Sequence, residues 1–267
     1  MLVDVHAHIG QLSAAAARPT RIGLYAGTCG LDAVLVSNQD AAAEPRGAAN
    51  QDEVDVNEAC LTACRSQSRL VPLYWVRAGQ FDSQPDAMAG ALATEPFAGV
   101  VFAPAANGYV ADDPLLNPYL TALERTVRPA LFCVTDAPAA TPARVVRLAE
   151  RHPRVPVILC CCGGSADTRA AMLDAVGSAC KRKAADVYVD TSHADGDGIR
   201  AAVRALGAER VLFGTDALRH GDAHIPRTIA LLDELRKTVP GIEFEQVAGG
   251  NAARLFGLGR PGRLRLG

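Results

Sequence analysis

The chain has 267 residues, of which 49% are hydrophobic and 21% charged, and its formal net charge is -2. This composition is ordinary for a soluble globular protein with a large core, and the lack of a basic excess argues against nucleic acid as a partner. Since α/β proteins of about 250 residues are routinely one domain, we expect residues 1–267 to form a single domain.

The beginning of the chain has neither a positively charged segment nor a long apolar stretch, and no segment reaches the roughly 18 uninterrupted apolar residues of a membrane span. We therefore expect no membrane association and a cytoplasmic location. The eight cysteines include the adjacent trio Cys160, Cys161 and Cys162. Neighbouring residues of a strand point to opposite faces, so these thiols are poorly placed to bridge, and we expect reduced cysteines.

Short apolar, β-branched runs recur along the chain and predict eight strands. They occupy residues 2–5, 33–37, 70–76, 99–102, 130–134, 157–160, 187–190 and 211–214. Their starts are 24 to 37 residues apart, and helix-like segments such as 142–151 and 225–239 lie between them. Strands that are apolar throughout are typical of a parallel sheet covered by helices, so the alternation predicts a (β/α)8 TIM barrel.

An open, doubly wound sheet is the alternative architecture. Such a sheet usually carries a glycine-rich phosphate loop after its first strand, whereas here the first run continues into His6-Ala7-His8-Ile9-Gly10. The barrel is therefore favoured. Two irregular stretches, 38–50 and 105–117, follow the second and fourth strands, and we expect them to be lids or substrate-binding loops at the carboxyl ends of the strands.

His6 and His8 are one residue apart in the first strand, so both side chains are expected on the same face, about 7 Å apart along the backbone. Asp4 is expected on that face one step deeper. Asp216 follows the eighth run, and closure of the barrel would bring it to the two histidines. Two imidazoles and a carboxylate suit zinc or a similar divalent ion, and Asp216 could also take a proton from a bound water. The alternatives are two hydrogen-bonded core histidines and an Asp216 that caps the following loop or helix.

Three motifs resemble the amidohydrolase-related (amidohydrolase 2) family: Val3-Asp4-Val5-His6-Ala7-His8, Gly214-Thr215-Asp216, and residues 250–257 with the sequence Gly-Asn-Ala-Ala-Arg-Leu-Phe-Gly. Two smaller matches, Asp112-Asp113-Pro114 and Gly163-Gly164, lie between them. Together the motifs span nearly the whole chain. The resemblance implies a metal-dependent barrel enzyme that hydrolyses amide or lactone bonds, or that decarboxylates aromatic and unsaturated acids without oxidation.

Two histidines that members of this family usually carry are missing from the chain. The resemblance implies a metal-ligating histidine at the end of the fifth strand and a histidine that polarises water or substrate at the end of the sixth, and Cys133 and Cys161 take these places. The fourth strand has Val101 and Ala103 where many relatives have lysine and histidine, so no bridging lysine for a two-metal site is expected. Cys133 would complete the ligand set as a thiolate, and Cys161 would act as an acid or base; alternatively, both are buried thiols that fill space.

Further histidines follow the last two strands. His193 lies just after the seventh strand, and His220 and His224 lie in the loop after Asp216 at helical i, i+4 spacing. Each is placed to reach the mouth of the barrel, where His193 would contact substrate. The alternative for each is an ordinary solvated loop histidine.

Two arginines are candidates for binding a substrate carboxylate. Arg77 lies just beyond the third strand and Arg219 just beyond the eighth, where a guanidinium group could hold a carboxylate through two hydrogen bonds. Surface salt bridges are the alternative. We interpret His152 as a cation in the last turn of a helix and Asn251 as the N-cap of the final helix.

The leading functional hypothesis is a metal-dependent hydrolase that cleaves an amide or lactone bond of a small, carboxylated molecule through a metal-activated water. One divalent ion, with zinc as the expected metal, would be held by His6, His8, Asp216 and Cys133. A non-oxidative decarboxylase or related carbon–carbon lyase is the first alternative. A metal-free barrel with altered chemistry or a binding role is the second, and association into a homo-oligomer remains open.

Overall fold

The computed structural model describes residues 1–10, 18–42, 52–160, 165–217 and 221–259. Three of the candidate site residues, Cys161, Arg219 and His220, lie outside these ranges. The Gly163-Gly164 pair and most of the 38–50 stretch also lie outside them.

Eight parallel strands form a single sheet in which neighbours follow chain order. The strands are β1 (Val3–Ile9), β2 (Ala33–Asn38), β3 (Leu70–Val76), β4 (Gly99–Phe102), β5 (Ala130–Cys133), β6 (Val157–Cys160), β7 (Val187–Asp190) and β8 (Val211–Leu212). Their positions match the eight apolar runs of the sequence. β8 is the shortest strand of the sheet, because its ladder pairing ends after Leu212.

The sheet closes between β8 and β1. The backbone N–H of Val5 donates to the carbonyl of Phe213 at 3.0 Å, and Ala7 forms an isolated parallel bridge with Ala217. This closure confirms the predicted (β/α)8 barrel and excludes the open sheet.

Helices separate the strands and cover the outside of the barrel. They are α1 (Pro19–Thr28), α2 (Glu53–Arg65), α3 (Pro85–Thr94), α4 (Pro104–Asn107), α5 (Asn117–Thr126), α6 (Pro142–Arg151), α7 (Ala166–Arg182), α8 (Gly196–Leu206), α9 (His224–Thr238), α10 (Gly241–Glu245) and α11 (Asn251–Phe256). N-capping side chains begin three of the longer ones, at Asp52, Ser165 and Asp195. None of the described helices combines the length and the apolar character that a bilayer span requires.

The apolar core has two layers. An inner cluster fills the barrel with side chains such as Leu35, Leu73 and Ile158, and an outer cluster, which includes Ile22 and Leu120, packs the strands against the helices. Because both faces of each strand are covered, most strand residues are apolar, as the sequence indicated, and the polar exceptions lie mainly in β1 and at the carboxyl ends of β2 and β7.

A β-bulge in β1 changes the face on which Asp4 lies. The pairing with β2 advances three residues along β1, from Asp4 to Ala7, while β2 advances two. Beyond this extra residue the alternation of faces is reversed. The side chain of Asp4 therefore points outward and accepts a hydrogen bond from Tyr25 of α1 at 2.7 Å, so the expectation that Asp4 shares a face with His6 and His8 is wrong.

Asn251 ties the last helix to the start of β8. It is the first residue of α11, after Gly250 at the N-cap position, and its side chain caps no backbone N–H. Its buried amide instead donates to the carbonyls of Ala208 at 2.7 Å and Val211 at 2.8 Å. The interpretation of Asn251 as an N-cap is therefore wrong, and its role is to satisfy two carbonyls next to β8.

We expect Asn251→Ala to lower the free energy of unfolding by about 1–3 kcal/mol, because it removes the buried amide that donates to the carbonyls of Ala208 and Val211. Asn251→Asp should destabilise the protein at least as much, since a carboxylate of the same shape also lacks the N–H groups. Urea denaturation of the three proteins measures both effects. An unchanged midpoint in both variants would contradict this role.

Candidate metal centre

Two imidazole nitrogens and a carboxylate converge at the carboxyl end of the barrel. Nε2 of His6 and Nε2 of His8 are 3.1 Å apart, and Nε2 of His8 is 3.6 Å from Oδ1 of Asp216. One potential ligand atom from each of the three residues lies within 4.8 Å of the others. The structure thus brings together the three residues that the sequence proposed as the centre of a metal site.

The closure of the barrel holds Asp216 in this position. Its backbone N–H donates to the carbonyl of His6 at 2.7 Å, and its φ of 56° is in the left-handed region. The side chain is buried. Asp216 is not the cap of the next long helix, because α9 has Ala223 at its N-cap position.

Second partners orient the two imidazole rings. Nδ1 of His6 lies 2.8 Å from Oδ2 of Asp190 and 3.2 Å from the hydroxyl of Ser192, and Nδ1 of His8 lies 2.9 Å from the hydroxyl of Ser37. A carboxylate accepts a hydrogen bond, so the contact with Asp190 places the proton of His6 on Nδ1 and leaves the lone pair of Nε2 facing His8. Metal-ligating histidines are oriented by such contacts in other proteins.

The donor set fits a divalent cation. Two nitrogens bound at about 2.0–2.1 Å to one tetrahedral zinc ion lie about 3.3–3.4 Å apart, and the Nε2 atoms of His6 and His8, at 3.1 Å, are within about 0.3 Å of that separation. Two neutral imidazoles and one carboxylate are also the ligand types that zinc and similar ions take in catalytic sites. The residues present are therefore compatible with one bound ion.

Asp190 was missed as a site residue by the sequence analysis. It ends β7, is fully buried, and accepts hydrogen bonds from the backbone N–H and the hydroxyl of Ser192 at 3.2 Å and 2.7 Å. The available signal was its position, since a carboxylate at the end of an otherwise apolar strand of a barrel needs a partner in the site.

Asp4 supports the segment that carries Asp216. It accepts hydrogen bonds from the backbone N–H and the hydroxyl of Thr215 at 3.0 Å and 2.6 Å. Burial raises the pKa of Asp4 to about 6, against the opposing effect of its hydrogen bonds from Thr215, the His6 N–H and Tyr25. Its part in the site is to fix the backbone before Asp216 from the outside of the barrel.

His193 is brought to Asp216. Its Nε2 lies 3.1 Å from Oδ2 of Asp216, so the two oxygens of this carboxylate face different histidines, His8 and His193. The φ of His193 is 64°, again in the left-handed region. The side chain is partly exposed, which leaves the proposed contact with substrate as a prediction.

Two other candidates have structural contacts. The guanidinium group of Arg77 lies 2.8 Å from Oδ2 of Asp82, so part of its hydrogen-bonding capacity is used within the chain, and its role in substrate binding stays a prediction. His224 is the first residue of α9, and its buried ring packs edge-on against Tyr25 with 5.7 Å between ring centroids.

Among the described cysteines, Cys160 has its thiol in the site. Cys133 is partly buried at the end of β5 and pairs in register with Cys160 of β6, but it is in neither of the groups of three potential ligands found among the described residues. Cys160 forms the second such group with His6 and Asp190. The alternation of faces in β6, where Ile158 and Cys160 both belong to the inner cluster, was the signal that could have singled out Cys160.

Comparison with protein families places this geometry in a known context. The amidohydrolase family model matches residues 3–258. The chain belongs to the amidohydrolase family. This membership confirms the resemblance seen in the motifs around His6, His8 and Asp216, and amidohydrolases of this family are metal-dependent enzymes. A search of curated proteins gives no match to this amidohydrolase.

Solved structures share the fold of this amidohydrolase over almost its whole length. 2,6-Dihydroxybenzoate decarboxylase from Rhizobium has a TM-score of 0.73 at 15% identity, with 96% of this chain and 98% of that chain covered. 5-Carboxyvanillate decarboxylase from Novosphingobium aromaticivorans, complexed with manganese and a substituted nitrobenzoic acid, has a TM-score of 0.74 at 12% identity, with 97% and 96% covered. A probable 2-pyrone-4,6-dicarboxylic acid hydrolase from Acinetobacter baumannii has a TM-score of 0.64 at 14% identity, with 96% and 99% covered.

We expect Gly214→Ala to disturb the site from β8. A Cβ at this position would lie 2.9 Å from Oδ2 of Asp190 and 3.1 Å from Cβ of His6, so both side chains would have to move. Overpacking of this kind costs about 1–3 kcal/mol of unfolding free energy.

The matched control is Gly90→Ala in α3, where a Cβ meets nothing within 4 Å and a helical alanine is favoured over glycine by about 0.5–1 kcal/mol. Chemical denaturation should therefore show a lower free energy of unfolding for Gly214→Ala and a higher one for Gly90→Ala than for the wild type. If Gly214→Ala is as stable as Gly90→Ala, the packing of Asp190 against His6 is not as tight as described.

Proposed function

We propose that this amidohydrolase is a metal-dependent hydrolase that acts on an amide or lactone bond of a small, carboxylated molecule. The observation that carries the proposal is the position of Asp216, with one carboxylate oxygen toward the facing nitrogens of His6 and His8 and the other toward His193. A base next to a divalent metal site is the arrangement that hydrolysis requires.

His6, His8 and Asp216 would hold one ion, and zinc suits two imidazoles and a carboxylate. When bound, the cation supplies Lewis acidity toward an oxygen of substrate or water. Asp190 and Ser37 keep the ligating nitrogens of His6 and His8 in place through their hydrogen bonds to Nδ1. Asp216 accepts the proton of the attacking water at its carboxylate, and His193 orients that carboxylate through its contact with Oδ2.

A carboxylated substrate is supported by what the similar structures hold. 2,6-Dihydroxybenzoate decarboxylase was solved with 2,6-dihydroxybenzoate, and 5-carboxyvanillate decarboxylase with a nitrobenzoic acid. These two proteins also favour the second candidate function, a non-oxidative decarboxylase or related carbon–carbon lyase, in which the same ion would orient the carboxylate of the substrate. The cysteine at the place of the usual sixth-strand histidine adds to this alternative, since the imidazole that would polarise water is replaced.

We expect the protein purified under reducing conditions to contain about one divalent ion per chain, and His6→Ala to lose it, because a structural or catalytic site rarely retains its metal without one of three protein ligands. Inductively coupled plasma mass spectrometry measures the metal content. His152→Gln is the matched control, because His152 is also buried but bonds Glu124 and Asn117 away from the site. A wild-type protein without metal would contradict the hydrolase and support the metal-free alternative.

The metal content of the Cys133→Ser variant tests whether Cys133 is a ligand. Cys133 belongs to neither three-residue ligand group, so we expect the variant to keep its metal. Loss of the ion would instead make Cys133 a ligand, as the family resemblance suggested.

We expect the metal-loaded enzyme to convert a carboxylated lactone into one product that is heavier by one water, or to cleave an open-chain amide into an acid and an amine whose masses add up to substrate plus water. Asp216→Asn should lower kcat by about 100-fold or more, the usual contribution of a positioned base. Mass spectrometry of products from a panel of such compounds and of aromatic acids is the assay, carried out with excess metal. Asp174→Asn, an exposed site in α7, is the control. Loss of carbon dioxide from an aromatic acid, without hydrolysis of any lactone or amide, would replace the hydrolase by the lyase.

A further inference from the structure

A small cavity lies between the carboxyl ends of β7 and β8 and helix α9. Its volume is about 30 Å³, which is room for about two water-sized groups. Its polar lining comes from Thr191, His193, Thr215, His224, Arg227 and Thr228. None of the described residues that line it is an aspartate or glutamate.

Arg227 is the one permanently charged residue of this lining. It is exposed, and within the described ranges no aspartate or glutamate pairs with it. Other arginines of this region do have acidic partners, as Arg200 has Glu234 at 3.0 Å and Arg236 has Asp233 at 3.2 Å. The guanidinium group of Arg227 therefore lines the cavity and contacts solvent, and no acidic side chain that the structure describes forms an ion pair with it.

Several of the other polar groups that line the cavity already form hydrogen bonds within the protein. The hydroxyl of Thr191 bonds the backbone of Gly214, and that of Thr215 bonds Asp4, so these two hydroxyls are committed to the protein. His193 lines the cavity, and its Nε2 lies 3.1 Å from Oδ2 of Asp216. Thr228 is hydrogen-bonded to Tyr25, and the buried ring of His224 packs against the same tyrosine. Arg227 is therefore the charged group that a ligand in the cavity would meet, next to the ring of His193.

We propose that this cavity is a subsite for a carboxylate group, held by Arg227. Arginine binds carboxylates through two parallel hydrogen bonds, and the two oxygens of a carboxylate match the space for about two water-sized groups. The loops after the seventh and eighth strands of TIM barrels frequently bind phosphate, so phosphate is the competing anion that the test must distinguish from a carboxylate. The inference is independent of the metal centre, because none of its three ligands lines the cavity.

Formate, the smallest carboxylate, is the probe. In isothermal titration calorimetry at constant ionic strength, with chloride as the replaced anion, we expect saturable binding to the wild-type protein. Arg227→Gln should weaken it about tenfold or more, the effect of losing a hydrogen bond to a charged group. Lys237→Gln, which removes the same charge from an exposed site of the same helix, should change it by no more than about twofold.

Two further titrations distinguish formate binding at this cavity from binding at the metal centre and from unspecific anion binding. The metal centre can also bind formate, so the titration is repeated after the metal is removed with a chelator, and the binding that depends on Arg227 should persist. Phosphate, with four oxygens, should show no saturable binding in excess of chloride. The proposal is overturned if formate does not saturate, if Arg227→Gln binds it as tightly as the wild type, if all binding disappears with the metal, or if phosphate binds and formate does not.

Discussion

The backbone contacts that close the barrel, between the segment after β8 and strand β1, determine where the atoms of the candidate site lie. The carbonyl of His6 accepts the N–H of Asp216, so the same peptide units that complete the sheet set the distance from the carboxylate of Asp216 to the histidine pair. Residues separated by more than 200 positions are joined in this way. The site therefore depends on the closure of the barrel as a whole, and no local segment could assemble it alone.

The bulge in β1 determines which polar side chains of this strand face the interior of the barrel. Without the extra residue, Asp4 would alternate onto the face of His6 and His8 and would place a second carboxylate inside the barrel. With it, Asp4 lies among the outer side chains, where hydrogen bonds from Tyr25 and Thr215 satisfy it. One strand thus places the imidazoles of His6 and His8 in the interior and the hydrogen-bonded carboxylate of Asp4 outside the barrel.

The sequence predicted those features that depend on periodicity and on local residue order. Eight apolar runs gave eight strands, and the motifs around His8 and Asp216 gave the three residues that converge, because neither inference requires knowledge of strand register. The hydrophobicity pattern of the sequence does not reveal the bulge in β1, because Val5 and His6 could each lie on either face of the strand. The outward position of Asp4 was for this reason beyond reach.

The side chains that contact the candidate metal ligands were harder to predict than the candidate ligands themselves. Asp190 was visible as the polar end of an apolar run, but its contact with His6 joins residues of two strands that are not neighbours in the sequence and whose relative register only the structure fixes. The same holds for the thiol of Cys160. Alignment of the Cys-Cys-Gly-Gly stretch indicated the following cysteine, whereas the alternation of faces along β6 turns Cys160 toward His6 and Asp190.

Two residues of the site, His193 and Asp216, have a backbone conformation that side chains with a Cβ adopt at a cost. A left-handed φ costs such a residue about 1–2 kcal/mol, and aspartate and histidine are among the residues that tolerate it more often than most. The two are in contact through Nε2 and Oδ2, and the barrel core and the hydrogen bonds of Thr215 and Thr191 hold the loops that carry them. Since a change of φ at either residue would change the direction of its side chain, the position of this carboxylate between His8 and His193 depends on the stability of the surrounding barrel.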